Sequence, residues 1–437
     1  MAHSGPGNPT GIRQAGRALR HRDYRYLWFG QTGHAASLWM DQVARAVLVL
    51  SLTNSALVLS FVIATRLVPI LLFGLIAGAV ADRGDKKRLL MSTQLVSMSM
   101  HLVLGLLAIT GFVELWHVFV TAFISGTGMA FNQPVRQSLI PALVPREDLV
   151  NAIALNQAAL SFMRIGGASL AGLLLIPFDV GEVYLVNVGI YAFVIFTTVR
   201  LRIPARPPRF REGQSLFGDL AEGFTYIRSN QVLGLVTLLA LILFILGFPY
   251  QQVFVPLLAT RVLDLGDSGV GYLAGATGVG AFLGSMFVAW RSDVARPGIQ
   301  MLVNMLVFGA ALVLISLQQN LVITAALLAL CGAMTVTFMA YTNTILLDSS
   351  TPDMHGRVMS LLSLDRGLIP VGAIVAGLTV SAFGVQPALF IQGAAVIAIS
   401  ALVLLLAGKK LATIRRGQYP DEALDPDPTS GAAAPAG

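Results

Sequence analysis

The chain has 437 residues, of which 55% are hydrophobic and only 12% are charged. A soluble protein carries about 25% charged residues, so this composition excludes an ordinary soluble domain. The formal net charge of +7 does not indicate a nucleic-acid partner, because the basic residues lie in short loops between long apolar stretches. The single cysteine, Cys331, excludes an intrachain disulfide.

Twelve apolar stretches follow one another along the chain, each long enough to cross a bilayer, which needs about 20 residues. Because no water reaches the bilayer core, each stretch must pair its backbone groups internally, as a helix does. The sequence therefore predicts an all-α, polytopic membrane protein with twelve transmembrane helices. The first six stretches are Leu27–Leu52, Ala56–Ala81, Leu89–Phe112, Trp116–Ile140, Val150–Ile176 and Val183–Leu201. The second six are Val232–Ala259, Gly269–Trp290, Ile299–Leu317, Leu321–Leu346, Val358–Phe383 and Ala388–Leu406.

Composition divides these stretches into two six-helix bundles, at residues 24–201 and 231–409. Residues 202–230 between them are rich in arginine and proline and end in an amphipathic segment, the pattern of a helix lying at the membrane surface. We therefore expect a basic cytoplasmic linker with an amphipathic helix. The remaining residues form two predicted cytoplasmic tails, 1–23 and 410–437.

The two halves share a pattern of small residues. Ser125-Gly126 and Cys331-Gly332 occupy corresponding spans, and the span that follows each of them closes with Gly167…Gly172 or Gly372…Gly377. A duplicated six-helix unit is how many transporters place a binding site at the membrane midplane between their halves.

The basic residues are distributed unevenly between the two sides of the predicted bundles. Of the 29 Lys and Arg residues, only Arg261 is assigned to an outer loop, whereas residues such as Arg136 and Arg146 are assigned to inner segments. Positively charged loops stay in the cytoplasm. We therefore expect a multi-pass protein of the cell (plasma or inner) membrane with both termini in the cytoplasm.

Charged residues inside the predicted spans are the candidates for function. An ionised group at the bilayer centre costs about 2.5–3.5 kcal/mol on insertion scales. Such groups are expected to pair with one another or to face a water-filled path. The candidates for proton coupling or substrate binding are Asp41, Arg45, Arg66, Arg164, Asp365 and Arg366.

Asp41 and Arg66 lie at matching depths in the first two spans. Each is 12 or 13 residues from Asn54, the tip of the first hairpin, which places both about 18–20 Å from that turn at 1.5 Å per residue. Arg45 is one helical turn from Asp41 on the same face. Two interpretations remain open, a static structural salt bridge and a proton or substrate site.

The other candidates differ in their partners, since Arg66 on the second span is available to one of the pair Asp365 and Arg366. Arg164 has no acidic residue within its own span, so it is a candidate for attracting an anionic or hydrogen-bonding substrate group. Asp365 and Arg366 are adjacent and point to different faces of their helix. Two intramembrane histidines, His34 and His101, are interpreted as satisfied core residues.

A motif after the second span resembles a family signature. The sequence Gly78-Ala79-Val80-Ala81-Asp82-Arg83-Gly84-Asp85-Lys86-Lys87-Arg88-Leu89-Leu90 is similar to the loop between helices two and three of the major facilitator superfamily, usually written G-x-L-A-D-R-x-G-R-K-x-x-L. Asp85 stands where the pattern has glycine, and Val80 where it has leucine. The stretches Phe131–Gln137, Asn151–Gln157 and Pro352–Ser360 resemble the branch that contains the enterobactin exporter and macrolide efflux proteins.

The resemblance implies the major facilitator fold and a cytoplasmic gate. In such a gate Asp82 and its basic neighbours touch the start of helix eleven, where a carboxylate is favoured at a helix N-terminus by about 0.3–1 kcal/mol. The alternative is that the basic residues of this loop only anchor it to anionic lipid. The implied gating residues are Gly78, Asp82, Arg83, Lys86, Lys87, Gly356 and Arg357.

These features together predict a secondary active transporter that exports an amphipathic small molecule, a drug or a siderophore-like metabolite, by proton antiport with alternating access. A lysophospholipid or lipid flippase on the same fold, or a non-transporting membrane receptor, are the alternatives. The chain has no G-x-x-x-x-G-K-[ST] loop, so ion or substrate gradients rather than ATP are the expected energy source. We expect no cofactor and no enzymatic reaction, a monomer, and only the substrate, protons and the lipid bilayer as partners.

Overall fold

The computed structural model describes residues 16–203, 225, 230–291, 296–350 and 366–413 of the chain, and within these residues it contains helices and no strand. The long helices of the first half are α1 Arg22–Thr53, α2 Ala56–Arg83, α3 Lys86–Ile109, α4 Leu115–Leu143, α5 Leu149–Leu174 and α6 Val180–Arg200. Those of the second half are α7 Gln231–Val262, α8 Gly266–Trp290, α9 Pro297–Ser316, α10 Leu321–Asp348, α11 Ile369–Phe383 and α12 Val385–Thr413.

Nine of these helices, counted over the described residues, are long and apolar enough to cross a membrane. Helices α4 and α5 are long enough but carry more polar residues, including Arg136 and Arg164. Helix α11 has 15 residues and follows a part of the chain outside the described residues. The predicted all-helical membrane fold is thus confirmed, while twelve complete crossings stay a prediction.

Side-chain caps fix where the hairpins turn. Asn54 ends α1 in the left-handed conformation, with φ of 45°, which asparagine tolerates better than most residues. Ser55 then accepts a hydrogen bond from the backbone N–H of Val58 at 3.3 Å and begins α2. At the other end of α2, the carboxylate of Asp85 accepts from the N–H groups of Lys87 and Arg88 and begins α3. Such caps satisfy donors that have no partner within the helix.

The two halves meet along two helix pairs, α5 with α8 and α2 with α11. Backbones approach closely at Gly172 and Gly271, where a Cβ on Gly172 would lie 2.7 Å from the Cα of Gly271. Small residues allow membrane helices to pack backbone against backbone. Both glycines lie near the helix ends that share a side of the bundle with Asn54, which we term the Asn54 end.

A polar contact also joins the halves at the Asn54 end. The guanidinium Nη2 of Arg261 donates to the side-chain oxygen of Asn54 at 3.0 Å and to its backbone carbonyl. Arg261 is therefore more than an isolated basic residue of an outer loop, because it connects the end of α7 to the turn between α1 and α2.

Helix α7 departs from regular α-helical geometry. It contains three π-helical turns, at Leu243–Gly247, Tyr250–Phe254 and Leu258–Val262. Pro249 and Pro256 lie among them and have no N–H to donate, so neighbouring backbone bonds must change register. The predicted amphipathic helix of the linker lies outside the described residues.

Candidate functional site

Asp41 is the centre of a buried ionic cluster in the first half of the protein. Its Oδ1 lies 2.9 Å from Nη2 of Arg45, and its Oδ2 lies 2.8 Å from Nη2 of Arg66. The Asp41 side chain is 1% exposed. The structure thus brings together the three charges that the sequence placed at similar depths on α1 and α2.

The two arginines are held differently. Arg45 is 4% exposed, and its Nη1 also donates to the carbonyl of Val118 and the hydroxyl of Thr121 on α4. The side chain of Arg66 is 15% exposed and has no hydrogen bond to another residue within the described part of the chain. Arg45 is therefore fixed in the bundle, whereas only Asp41 holds Arg66.

His101 of α3 is a fourth member of the cluster. Its Nε2 lies 3.4 Å from Oδ1 of Asp41. The imidazole stacks between two rings of α6, with centroid distances of 5.8 Å to Tyr184 and 5.4 Å to Tyr191. His34 of α1 reaches the same aromatic group, since its Nδ1 lies 3.0 Å from the hydroxyl of Tyr191.

A small cavity adjoins this cluster within the first half. Its lining combines charged, aromatic, hydroxyl-bearing and apolar side chains. The lining residues are His34, Leu38, Asp41, Arg66, Ser97, His101, Ser125, Met129 and Tyr191. A small cavity with several polar groups in its lining is suited to holding a water molecule.

Arg136 lies within a helix, and its assignment to the inner side of the membrane stays a prediction. Arg136 is part of α4 and is 5% exposed. Its Nε donates to Oδ1 of Asn132 at 2.8 Å, and the Asn132 amide donates to the hydroxyl of Thr93. Both terminal guanidinium nitrogens are buried without a hydrogen-bond partner among the described residues.

Arg164 lies apart from the Asp41 cluster. It is half-buried on α5, with its guanidinium carbon 5.1 Å from the ring centroid of Trp39 on α1. It forms no ion pair within the described residues. The next residue, Ile165, contacts α8 of the other half at Gly278. Arg164 therefore lies beside the seam, our term for the surface along which α5 packs against α8 and α2 packs against α11.

The predicted gate is only partly described. Gly78 is in α2, where an added Cβ would meet nothing within 4 Å, and Asp82 and Arg83 belong to the last turn of that helix. The amine of Lys87 donates to the carbonyls of Val199 and Leu201 and so caps α6. Lys86 is in the first turn of α3. Three predicted residues, Asp365, Gly356 and Arg357, lie outside the described residues, and Arg366 begins a short 3₁₀ turn.

Sequence reasoning missed His101 as a partner of Asp41. The signal available was its position near the middle of a span that also carries Ser97 and Gln94. A polar face within an apolar helix indicates a buried polar surface, but the sequence does not say which helix it meets.

The comparisons with known proteins agree with this architecture. The family model described as "transmembrane secretion effector" matches residues 15–428. Macrolide efflux protein A of Streptococcus pyogenes is 22% identical over 378 residues, which cover 86% of this chain and 93% of that protein. The staphyloferrin A transporter of Staphylococcus aureus is 23% identical, covering 85% and 93% of the two chains. The enterobactin exporter of Shigella dysenteriae is 26% identical over 292 residues, covering 66% and 68%.

A solved structure shows the same fold. The bacterial homologue of the human lysosomal transporter Spinster, in its inward-facing and unoccupied conformation, superposes with a TM-score of 0.64 at 17% identity, covering 92% of this chain and 96% of that one. The expected resemblance to the branch with enterobactin and macrolide exporters is confirmed by the sequence relatives, and the structural similarity supports the fold alone.

Proposed function

Because the chain belongs to the transmembrane secretion effector family of the major facilitator superfamily, we propose that it exports an amphipathic small molecule across the cell membrane in exchange for protons. The buried ionic cluster around Asp41 is the observation that carries this proposal. Unpaired charges are too costly at this depth to persist without a function or a partner, and here the cluster adjoins a polar cavity.

The class of substrate is proposed from the relatives and from Arg164. The relatives are named for macrolide efflux, staphyloferrin A transport and enterobactin export, which are drug and siderophore functions. In this chain Arg164 offers a guanidinium next to the ring of Trp39 at the seam between the halves. A planar guanidinium can bind a carboxylate or another oxygen-rich group through two parallel hydrogen bonds.

We propose that Asp41 is the carboxylate through which protons drive export. One proton crossing 100 mV supplies about 2.3 kcal/mol. For exchange to occur, the pairing of Asp41 with Arg66 must differ between two conformations, together in one and apart in the other. The exposure of Arg66, greater than that of Asp41 or Arg45, supports Arg66 as the partner that moves.

Alternating access is proposed for the movement of the halves. The contacts between the halves at the Asn54 end, with Gly172 against Gly271 and Arg261 on Asn54, support a conformation closed on that side. With both termini in the cytoplasm, the Asn54 end faces outward. We further propose a monomer in the inner membrane, with the loop at Asp82 and the segment at Gly356 as the cytoplasmic gate.

Transport by the purified protein tests the proposal. Proteoliposomes containing the chain are loaded with labelled compounds from a panel of macrolides and siderophores, and movement is followed with and without an imposed pH gradient. Counterflow of at least one compound, accelerated by the gradient, is expected. The absence of flux for every compound, together with transfer of fluorescent lipid between leaflets, would contradict the proposal and favour a lipid flippase.

A further inference from the structure

The cluster around Asp41 contains a group whose role the proposed function leaves open. We infer that His101 binds the coupling proton and, once charged, displaces Arg66 from Asp41. The inference rests on the proposed exchange of protons for substrate, and it assigns the proton-binding step to a histidine that competes with an arginine for one carboxylate.

The geometry sets three cationic groups around a single carboxylate. Arg45 and His101 approach Oδ1 of Asp41 at 2.9 and 3.4 Å, and Arg66 approaches Oδ2 at 2.8 Å. With neutral imidazole the cluster carries one negative and two positive charges. A protonated His101 adds a third positive charge beside the same carboxylate, and at this depth little solvent is available to screen the repulsion.

His101 is suited to bind the proton because its imidazole can carry an N–H on both ring nitrogens and is then cationic. The charged and titratable groups that surround it are Asp41, Arg45 and His34 from α1, Arg66 from α2, and Tyr184 and Tyr191 from α6. Apart from the contact of Nε2 with Asp41, neither ring nitrogen of His101 has a partner within the described residues, and the ring is among the groups that line the small cavity.

Of the groups near His101, Arg66 is the one able to leave. The two tyrosine rings confine the imidazole, and Thr121 and the Val118 carbonyl hold Arg45. Among the described residues Arg66 has only the Asp41 carboxylate as partner, and it already reaches the cavity. Protonation of His101 therefore weakens the ion pair between Asp41 and Arg66, which joins α1 to α2.

Release of Arg66 can affect the contact between the halves because α2 carries both Arg66 and residues that pack against the second half. Ser60, less than two turns before Arg66 on this helix, packs against Gly377 of α11, where an added Cβ would lie 2.3 Å from the serine hydroxyl. Loss of the ion pair between α1 and α2 therefore changes the position of a helix that also packs against α11 of the other half. Proton binding inside one half is in this way linked to movement at the seam.

The test uses His101→Gln, which keeps a polar side chain but cannot become cationic. In proteoliposomes, one proton exchanged per substrate across a difference of one pH unit supports a gradient of about tenfold. We expect His101→Gln to abolish this accumulation, so that the substrate concentrations on the two sides become about equal. Counterflow should persist in this variant, but its rate should no longer depend on pH between pH 5.5 and 8. The matched control is His117→Gln, in which glutamine can still cap α4 from the same position, and wild-type pH dependence is expected.

A second pair of variants separates competition from a merely structural role. If His101 acts by displacing Arg66, Arg66→Gln also loses the pH dependence, and the double variant loses no more than either single variant. Wild-type pH dependence in either His101→Gln or Arg66→Gln would overturn the inference. A wild-type protein without any counterflow would instead contradict the proposed export, so the two failures are distinguishable.

Discussion

At the level of single residues, Asp41 is distinguished by the number of basic side chains that contact its carboxylate. Arg45, Arg66 and His101 all face this one carboxylate. Removing one partner of a buried ion pair costs about 3–5 kcal/mol, because the remaining charge is left uncompensated. Asp41→Leu is therefore expected to lower the melting temperature in detergent and the amount of folded protein.

Asp41→Asn separates this structural effect from proton coupling. Asparagine retains an oxygen that can accept from the arginines but cannot carry the negative charge. We expect Asp41→Asn to stop uphill export under an imposed pH gradient while counterflow without a gradient stays measurable. Uphill export by this variant at the wild-type rate would exclude Asp41 from coupling and direct attention to Asp365.

Arg164 is predicted to contribute to substrate binding. Hydrogen bonds to a charged group contribute about 1.5–3 kcal/mol, so Arg164→Ala is expected to raise the apparent KM for acidic substrates by about tenfold to a hundredfold. Arg164→Lys keeps the charge but loses the planar fork and its stacking on Trp39, so it should discriminate among substrates. Equal KM values for all three proteins across the compound panel would exclude Arg164 from the site.

The sequence predicted some of these residues and missed others for one geometrical reason. Asp41 and Arg66 are equally distant from a single tight turn, and helix rise then places them side by side. His101 and Arg136 belong to helices whose neighbours depend on how six helices pack in space, which spacing along the chain does not determine. A polar residue within an apolar stretch therefore indicated that its side chain is buried, but did not indicate which residue it contacts.

At the level of helices, the contact between α5 and α8 joins the halves through closely packed backbones. A Cβ on Gly172 would lie 2.7 Å from the Cα of Gly271 and 2.9 Å from the carbonyl of Ser268. Because these are backbone atoms of α8, which cannot rotate away as a side chain can, the helices would have to separate to accommodate a methyl group. We expect Gly172→Ala to weaken closure at the Asn54 end, with faster labelling of a cysteine introduced at Ser169.

The control for this prediction is Gly189→Ala in α6, where an added Cβ meets nothing within 4 Å. This variant should label the same reporter cysteine at the wild-type rate. Equal labelling in both variants would show that the Gly172 contact does not hold the halves together.

Helix α7 shows what hydropathy leaves undetermined. The apolar pattern predicted one continuous span at Val232–Ala259, and the structure has a slightly longer helix at Gln231–Val262. The π-helical turns around Pro249 and Pro256 depend on which carbonyls neighbouring helices and side chains can satisfy, so composition alone could not predict them.

At the level of the whole molecule, the apolar stretches were sufficient to predict an all-helical membrane protein, while the division into two six-helix bundles stays a prediction. How the halves touch could not be predicted, because glycines such as Gly172 and Gly271 have no side chain whose chemistry marks a partner. Arg261 illustrates the same limit. Its isolation in an outer loop was visible in the sequence, but its hydrogen bonds to Asn54 across the seam were not.

That contact offers a test of alternating access. Asn54 and Arg261 belong to different halves and meet at the Asn54 end, so a reducible bifunctional thiol reagent should link Asn54→Cys to Arg261→Cys when the halves are closed there. The native Cys331 is buried and is replaced by serine to remove background reaction.

We expect the linked protein to lose counterflow completely and to recover it after reduction, because one side of the membrane stays sealed while the link is present. The two single-cysteine variants, treated with the same reagent, should keep transporting. Undiminished counterflow in the fully linked protein would mean that the Asn54 end does not open during transport, and the alternating-access proposal would fail.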